Sequence, residues 1–127
     1  EQVVTLVDRD LIKQVLLNIA ANAVQYTPVN GKVTLSLKVT AEQARIVITD
    51  TGPGIPTEDL PHIFERFYRG EKSRTRNANT GFGLGLSIAY WIIRSHDGMI
   101  DVSSVEGVGT SFIIHLPMKV DRKNDTL

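Results

Sequence analysis

The sequence predicts an α/β two-layer sandwich: a mixed, mainly antiparallel sheet of about five strands with three helices on one face. Three observations carry that prediction. Strand-like runs come in adjacent pairs rather than alternating singly with helices. A long amphipathic helix separates the first short β run from the first pair, and a second apolar helix precedes the last pair. A doubly wound parallel sheet would need strands alternating with helices, so it is disfavoured.

The elements follow in order. "VVTLV" (3–7) is a short β-type run. "DRDLIKQVLLNIAANAVQY" (8–26) is helical, with Asp8 or Asp10 as cap and Ile12, Val15, Leu16, Ile19, Ala23 and Tyr26 along one side. Leu17, Ala21 and Val24 lie away from that stripe. Helices apolar nearly all round are usually covered, so another element or a partner domain is expected there. "TPVNG" (27–31) is turn chemistry. "KVTLSLKVT" (32–40) alternates Val33, Leu35, Leu37 and Val39 with polar residues, as a half-buried strand does. "ARIVITD" (44–50) completes a hairpin with it, and "TGPGIP" (51–56) breaks the pattern. "TEDLPHIFERFYR" (57–69) suggests a short helix capped by Thr57, with Glu58 and Asp59 in its first turn. "GEKSRTRNANTG" (70–81) has no apolar residue but Ala78 and reads as a mobile loop. "TGFGLGLSIAYWII" leads into a helix ending near His96. "GMIDVSSV" (98–105) and "TSFIIHLPM" (110–118) are strands joined by "EGVG". Residues 1–118 form one domain and 119–127 a polar, frayed tail.

Composition narrows the function classes. Hydrophobic residues make up 42% and charged residues 22%, ordinary for a globular chain of 127 residues. Fourteen basic and fourteen acidic side chains cancel, which leaves no footprint for nucleic acid or an anionic membrane. The absence of cysteine excludes disulfides, thiolate metal sites and a cysteine nucleophile. No apolar run approaches the roughly 20 residues of a membrane span, and no signal peptide is recognisable. Without an initiator methionine, the chain is expected to be an excised piece of something longer.

Three constellations could carry chemistry. Asn18, Asn22 and Gln25 form one helical stripe bordering the apolar side. Amides there either bond to neighbouring backbone or point oxygens into a cleft, where they suit a hard cation such as magnesium. In "DTGPGIP", Asp50 ends a strand and Gly52 and Gly54 follow. This is either a tight turn or a carboxylate that accepts from an exocyclic amine, with glycines admitting a planar ring such as adenine. "GFGLGL" places Gly81, Gly83 and Gly85 at a helix entrance, where each costs about 1 kcal/mol relative to alanine inside a helix. A nest of N–H groups and a helix N-terminus bind anions. The stretch is neither a Walker A loop nor a dinucleotide-binding fingerprint.

The order of these pieces is specific. An asparagine helix, "DxGxG", the aromatic pair Phe64 and Phe67, a loop, "GxGLGL" and "GxGT" at 107–110 follow one another. In this the chain resembles the catalytic and ATP-binding domain of bacterial sensor histidine kinases, in the superfamily that also holds gyrase, Hsp90 and MutL. The resemblance covers roughly residues 3–117. "NIAANAVQYT" resembles the asparagine box, "DTGPGI" and "GFGLGL" two glycine boxes, "FERFYR" the phenylalanine box and "GVGT" the last glycine box.

The resemblance implies a Bergerat-type ATP-binding fold with ATP and Mg2+ as cofactors. By it, Asn22 would ligate magnesium with Asn18 in support, and Asp50 would bond the adenine amine. Gly52, Gly54 and Ile55 would line the adenine pocket, flanked by Tyr26. Gly81, Gly83, Leu84 and Gly85 would wrap the phosphates, beside Phe82 and Leu86. Residues from about Arg69 to Thr80 would form a lid next to Tyr68, anchored by Phe64 and Phe67, which equally fit as plain core aromatics. Thr110 would start a strand and touch the adenine end. Gln25 stands where the family usually has Lys or Arg, and Phe82 where a small residue is common. A lid cation among Arg69, Lys72, Arg74 and Arg76 could replace the missing charge.

The implied activity is phosphoryl donation from ATP to a histidine on a separate dimerisation and phosphoacceptor domain of the same full-length protein, with a response regulator downstream. The implied setting is cytoplasmic, on a full-length protein in the cell inner membrane, with the isolated domain monomeric. Hydrolysing relatives carry a glutamate where this chain has Asn18, and an amide cannot act as a general base. His62, His96 and His115 read as structural or surface histidines rather than acceptors. The alternatives are a hydrolysing ATPase or serine kinase of the same superfamily, and a degenerate nucleotide-sensing docking module.

Overall fold

The computed structural model describes residues 3–4, 8–66, 85–117 and 119–120. Strand β1 (Val3–Val4) precedes helix α1 (Arg9–Tyr26), and the hairpin β2 (Val33–Val39) and β3 (Gln43–Asp50) follows. A 3-10 turn spans Leu60–His62. Helix α2 (Gly85–Ser95), strands β4 (Met99–Val105) and β5 (Gly109–Pro117) and the short β6 (Lys119–Val120) complete the order. The main sheet has four strands in the order β2-β3-β5-β4, every pair antiparallel. The expected two-layer α/β sandwich is present. Among the described residues it has four sheet strands and two α-helices rather than five and three.

The differences have local causes. Residues 57–66 form turns around the single 3-10 turn, not an α-helix. Pro61 lacks an N–H and restricts Leu60 before it, and Asp59, not Thr57, stands at the N-cap, without a side-chain bond. Lys119 and Val120, assigned to the polar tail, pair antiparallel with Val4 and Val3 in a separate two-stranded ladder.

The core lies between sheet and helices. Val15, Ile19 and Ala23 of α1 and Ala89, Ile92 and Ile93 of α2 are buried. They face Ala44, Ile46 and Ile48 of β3, Ile100 of β4 and Phe112, Ile114 and Leu116 of β5. In β5 the alternation is clean: even positions from Thr110 to Leu116 are buried, odd ones from Ser111 to His115 half-buried. Leu35, Leu37 and Val39 pair with Ile48, Ile46 and Ala44, so they share the helix-facing side. They are nevertheless exposed, because β2 is an edge strand and α1 packs chiefly on β3. The half-buried pattern expected of β2 holds only at Val33.

Two bonds fix α2 antiparallel against α1. At its start, Asn18 Nδ2 donates to Gly85 O at 3.3 Å. Beyond its end, His96 Nε2 accepts the Asp8 N–H at 3.0 Å, while His96 Nδ1 donates to Ile92 O at 2.8 Å. A carbonyl can only accept, which assigns the proton to Nδ1. Asp8 is the N-cap of α1, its Oδ1 accepting from Asp10 N and Leu11 N. Among the described residues, α2 therefore lies along α1 from Asp8 to Asn18, and the last two turns of α1 run past its first residue.

Turns are set by residues that tolerate positive φ. Asn30 at φ 77° closes the 28–31 turn, with Gly31 N–H bonded to Pro28 O at 2.8 Å. After α2, Gly98 N–H bonds to Ile93 O at 2.9 Å and Asp97 N–H to Arg94 O at 3.0 Å, a Schellman motif with Asp97 at φ 61°. Between the sheet's central strands, Gly109 lies so close to the Asp50 carbonyl that a Cβ there would collide with its oxygen.

Two stability outcomes follow. Asp97→Gly relieves the left-handed strain and should raise stability by about 0.5–1 kcal/mol. A urea midpoint that stays level or falls would refute this. Gly109→Ala should cost about 2–3 kcal/mol, because backbone rather than a flexible side chain must move. A loss below about 0.5 kcal/mol, within the range of an ordinary surface substitution, would show that β3 and β5 separate there without strain.

Candidate functional site

Asp50 is the last residue of β3 and pairs with Thr110 of β5, so both side chains lie on the helix-facing side. Both are buried, and no other polar or charged residue among the described ones is. Asp50 Oδ1 accepts the Gly52 N–H at 2.8 Å. Among the described residues nothing donates to Oδ2, and that atom is not sealed from solvent. The carboxylate is thus fixed at one oxygen and open at the other. Gly52 explains how the loop turns under α1: a Cβ would stand 2.9 Å from Tyr26 O and 3.0 Å from Asp50 Oδ1.

The rest of the loop is laid onto the β4–β5 turn. Gly54, at φ 77°, packs against Val105 O so tightly that a Cβ would overlap it. Gly107 N–H donates to Pro53 O at 2.8 Å. Ser104 Oγ accepts the Ile55 N–H at 2.7 Å, donates to Gly109 O at 3.1 Å and meets Thr110 Oγ1 at 2.9 Å. Sequence reasoning missed Ser104. Its signal was present: the inward positions of β4 read Ile100, Val102, Ser104, with a hydroxyl where the pattern asks for an apolar residue.

The asparagine stripe divides. Asn18 spends its amide N–H on Gly85 O, a cross-helix bond rather than one to neighbouring backbone, which leaves its Oδ1 as an oxygen donor. Asn22 is half-buried, and its side chain has no hydrogen-bond partner among the described residues. Gln25 is exposed. Gly85 opens α2 with nothing near its missing Cβ, and Leu86 follows it, half-buried. Leu17, Ala21 and Val24 are exposed, and no described element covers them.

The structure brings Asp50, Gly52, Gly54, Ile55 and Thr110 together with the Tyr26 carbonyl, and separately joins Asn18 to the start of α2. Tyr68, Arg69, Thr80, Gly81, Phe82, Gly83 and Leu84 lie outside the described residues, as do Phe67, Lys72, Arg74 and Arg76. Phe64 stacks near Tyr90 at 5.2 Å between centroids and meets Phe112 edge-on at 6.3 Å, an aromatic core contact. His62 bonds Glu65 at 2.7 Å on the surface, and His115 bonds Gln43 across the outer face of the sheet at 3.0 Å. No group of three or more His, Cys, Asp or Glu among the described residues could cage a metal. The amide oxygens of Asn18 and Asn22 remain as hard donors, few enough to suit magnesium that keeps waters and phosphates as its other ligands.

Residues 7–120 match the family described as histidine kinase-, DNA gyrase B-, and HSP90-like ATPase. Sensor histidine kinase WalK of Bacillus subtilis (strain 168) is 44% identical over 121 residues, covering 94% of this chain and 20% of that protein. This chain thus spans about a fifth of that relative's length. Among solved structures, the mycobacterial sensor histidine kinase MprB superposes with a TM-score of 0.79 at 32% identity, over 91% of this chain and 77% of that one. The nucleotide-free catalytic domain of histidine kinase ThkA gives 0.74 at 36% identity, over 87% and 69%. A chain so matched in sequence and fold belongs to the histidine kinase-, DNA gyrase B- and HSP90-like ATPase family, on the branch of sensor histidine kinase catalytic domains.

Proposed function

We propose that this chain binds Mg-ATP and donates the γ-phosphoryl to a histidine on the dimerisation and phosphoacceptor domain of its full-length protein. The observation that carries the reading is the layout along α1. Asn18 and Tyr26 are eight residues apart, or about 12 Å. At the first stands the start of α2; at the second, the Asp50–Gly52 loop. In this reading the end of α1 that runs past the described part of α2 is the floor of a cleft with an anion-favouring helix N-terminus at one end and an amine-accepting carboxylate at the other. An extended adenosine triphosphate has that arrangement of chemistry along its length.

In this reading Asp50 Oδ2 accepts from the adenine amine, and the glycine loop admits the ring edge-on. Asn22 holds magnesium through its amide oxygen, with Asn18 held in place by Gly85 O. The bound cation supplies charge neutralisation on the phosphates. The chain itself positions the triphosphate so that an imidazole nitrogen bonds to the γ-phosphorus as the bond to the β-phosphate oxygen breaks, releasing ADP. An amide at position 18 cannot deprotonate water, so hydrolysis competes poorly. The exposed Leu17, Ala21 and Val24 stripe is the surface we assign to the phosphoacceptor domain. A response regulator would take the phosphoryl afterwards. The full-length protein is placed at the inner membrane with this part cytoplasmic. Among the described residues no helix is long and apolar enough to cross a membrane.

Asp50→Ala should weaken binding of a non-hydrolysable ATP analogue by about 10- to 100-fold, the worth of a hydrogen bond to a charged group; unchanged calorimetry would overturn the adenine assignment. In transfer of labelled phosphate to the phosphoacceptor domain, Asn22→Ala should be slowed roughly a hundredfold. Leu17→Asp should slow transfer while leaving nucleotide affinity intact. Rapid phosphate release from ATP without any acceptor would replace the kinase reading with that of a hydrolase.

A further inference from the structure

We infer that Ser104 is a positioning residue for the base end of the cleft, setting the adenine-dependent part of nucleotide affinity without touching the nucleotide. The inference rests on the base-site reading of Asp50. Three segments meet at this one hydroxyl: β4, which carries it, the glycine loop through Ile55 N–H, and the start of β5 through Gly109 O and the Thr110 hydroxyl. Gly109 is in turn the residue against which the Asp50 carbonyl rests. Ser104 thus ties the loop that would frame the ring to the backbone that carries the carboxylate.

The proton count allows two arrangements of the clamp. Ser104 has one proton, Ile55 N–H can only donate and Gly109 O can only accept. With the proton on Gly109 O, Ser104 accepts from both Ile55 N–H and Thr110 O–H, and every group is satisfied. The Thr110 oxygen, paired across from Asp50, then keeps its lone pairs for a water or ligand. If Ser104 turns its proton to Thr110 instead, the Thr110 proton is freed to donate. Either arrangement holds Ile55, so the loop stays fixed while the hydroxyl beside Asp50 changes polarity. Adenine presents a donor beside an acceptor on this edge, and a carboxylate next to a hydroxyl that can donate matches that pair.

The effect is local. Ser104 acts beside Asp50, at the Tyr26 end of α1, about 12 Å along the helix from Asn18 and Gly85. Removing it should therefore separate base binding from phosphate binding, which a general loss of structure cannot do. The experiment measures Kd for a non-hydrolysable ATP analogue, the GTP equivalent and inorganic tripolyphosphate on the 127-residue chain, with a urea midpoint for each variant. Ser104→Ala should weaken the ATP analogue about 5- to 20-fold, leave tripolyphosphate within about twofold, and shrink the ATP-over-GTP preference. Ser104→Thr, which keeps the hydroxyl, should restore both. Equal losses for ATP and tripolyphosphate, or an unchanged ATP affinity, would overturn the inference, as would a folded Ser104→Thr that behaves like alanine. If the alanine variant does not fold, Ser104→Cys is read by the same ratio, with the same outcomes deciding. Asp50→Asn separates the two levels. If it leaves the ATP-over-GTP preference intact, the base-site reading itself fails; if it abolishes the preference while Ser104→Ala does not, only the role of Ser104 fails.

Discussion

The site depends on one contact between two stretches of backbone. Gly109, the first residue of β5, lies against the carbonyl of Asp50, the last residue of β3. No side chain fits between them, so the two central strands reach the end of their ladder in close contact, with Asp50 opposite Thr110. That register puts a carboxylate and a hydroxyl on the buried side of the sheet, where the strands otherwise place Ile48 and Phe112. A slip of one residue would turn both outward and leave no polar end to the core.

Burying a carboxylate is unfavourable unless its oxygens find donors. Here the fold supplies one, Gly52 N–H, a charge-assisted bond contributing about 1.5–3 kcal/mol. It leaves the second oxygen open to solvent. On the proposed function, the adenine amine takes the place of water at that oxygen. The loop that provides Gly52 is held by two hydrogen bonds, Ile55 N–H to Ser104 Oγ and Gly107 N–H to Pro53 O, and by Ile55 packing against the core. Rigid placement of that kind is what a site for a flat, polar-edged ring requires.

What the sequence disclosed was what depends on neighbours in sequence. A cap at Asp8 or Asp10, the turn at 27–31, the strand runs of β3 and β5 and the C-terminal ends of both helices were legible, because capping, turn chemistry and local composition are local properties. Three features were not. The segment after Thr57 has helix-like acids in its first turn, but Pro61 overrules them. The apolar row of β2 reads as half-buried, yet burial is set by where α1 lies, and α1 sits over β3. Asn18 appeared as one of a stripe of three, while its partner, Gly85 O, lies 67 positions away. Ser104 was visible as a break in alternation, but its meaning rests on the loop it holds, 49 positions earlier. Family-level order of motifs was readable because it needs only sequence; the division of labour within each motif needed the fold.

The helix ends add a charge argument to the geometry. The first residue of α2 lies beside Asn18, and its N-terminus is the positive end of that helix. The C-terminus of α1 lies beside Gly52, and it is a negative end with no basic residue in its last turn. On the proposed function, the end at Asn18 thus favours anions and the end at Gly52 favours donors, which is the polarity of a nucleoside triphosphate from phosphate to base. Gln25 is exposed and neutral, so it brings no cation to the site. In that reading the phosphate charge is then left to the α2 terminus, a bound cation and the basic residues of the 69–80 segment. On the proposed function, that shifts the burden of triphosphate binding onto magnesium, so affinity in this chain should track the cation more steeply than in relatives with a basic residue at the same position.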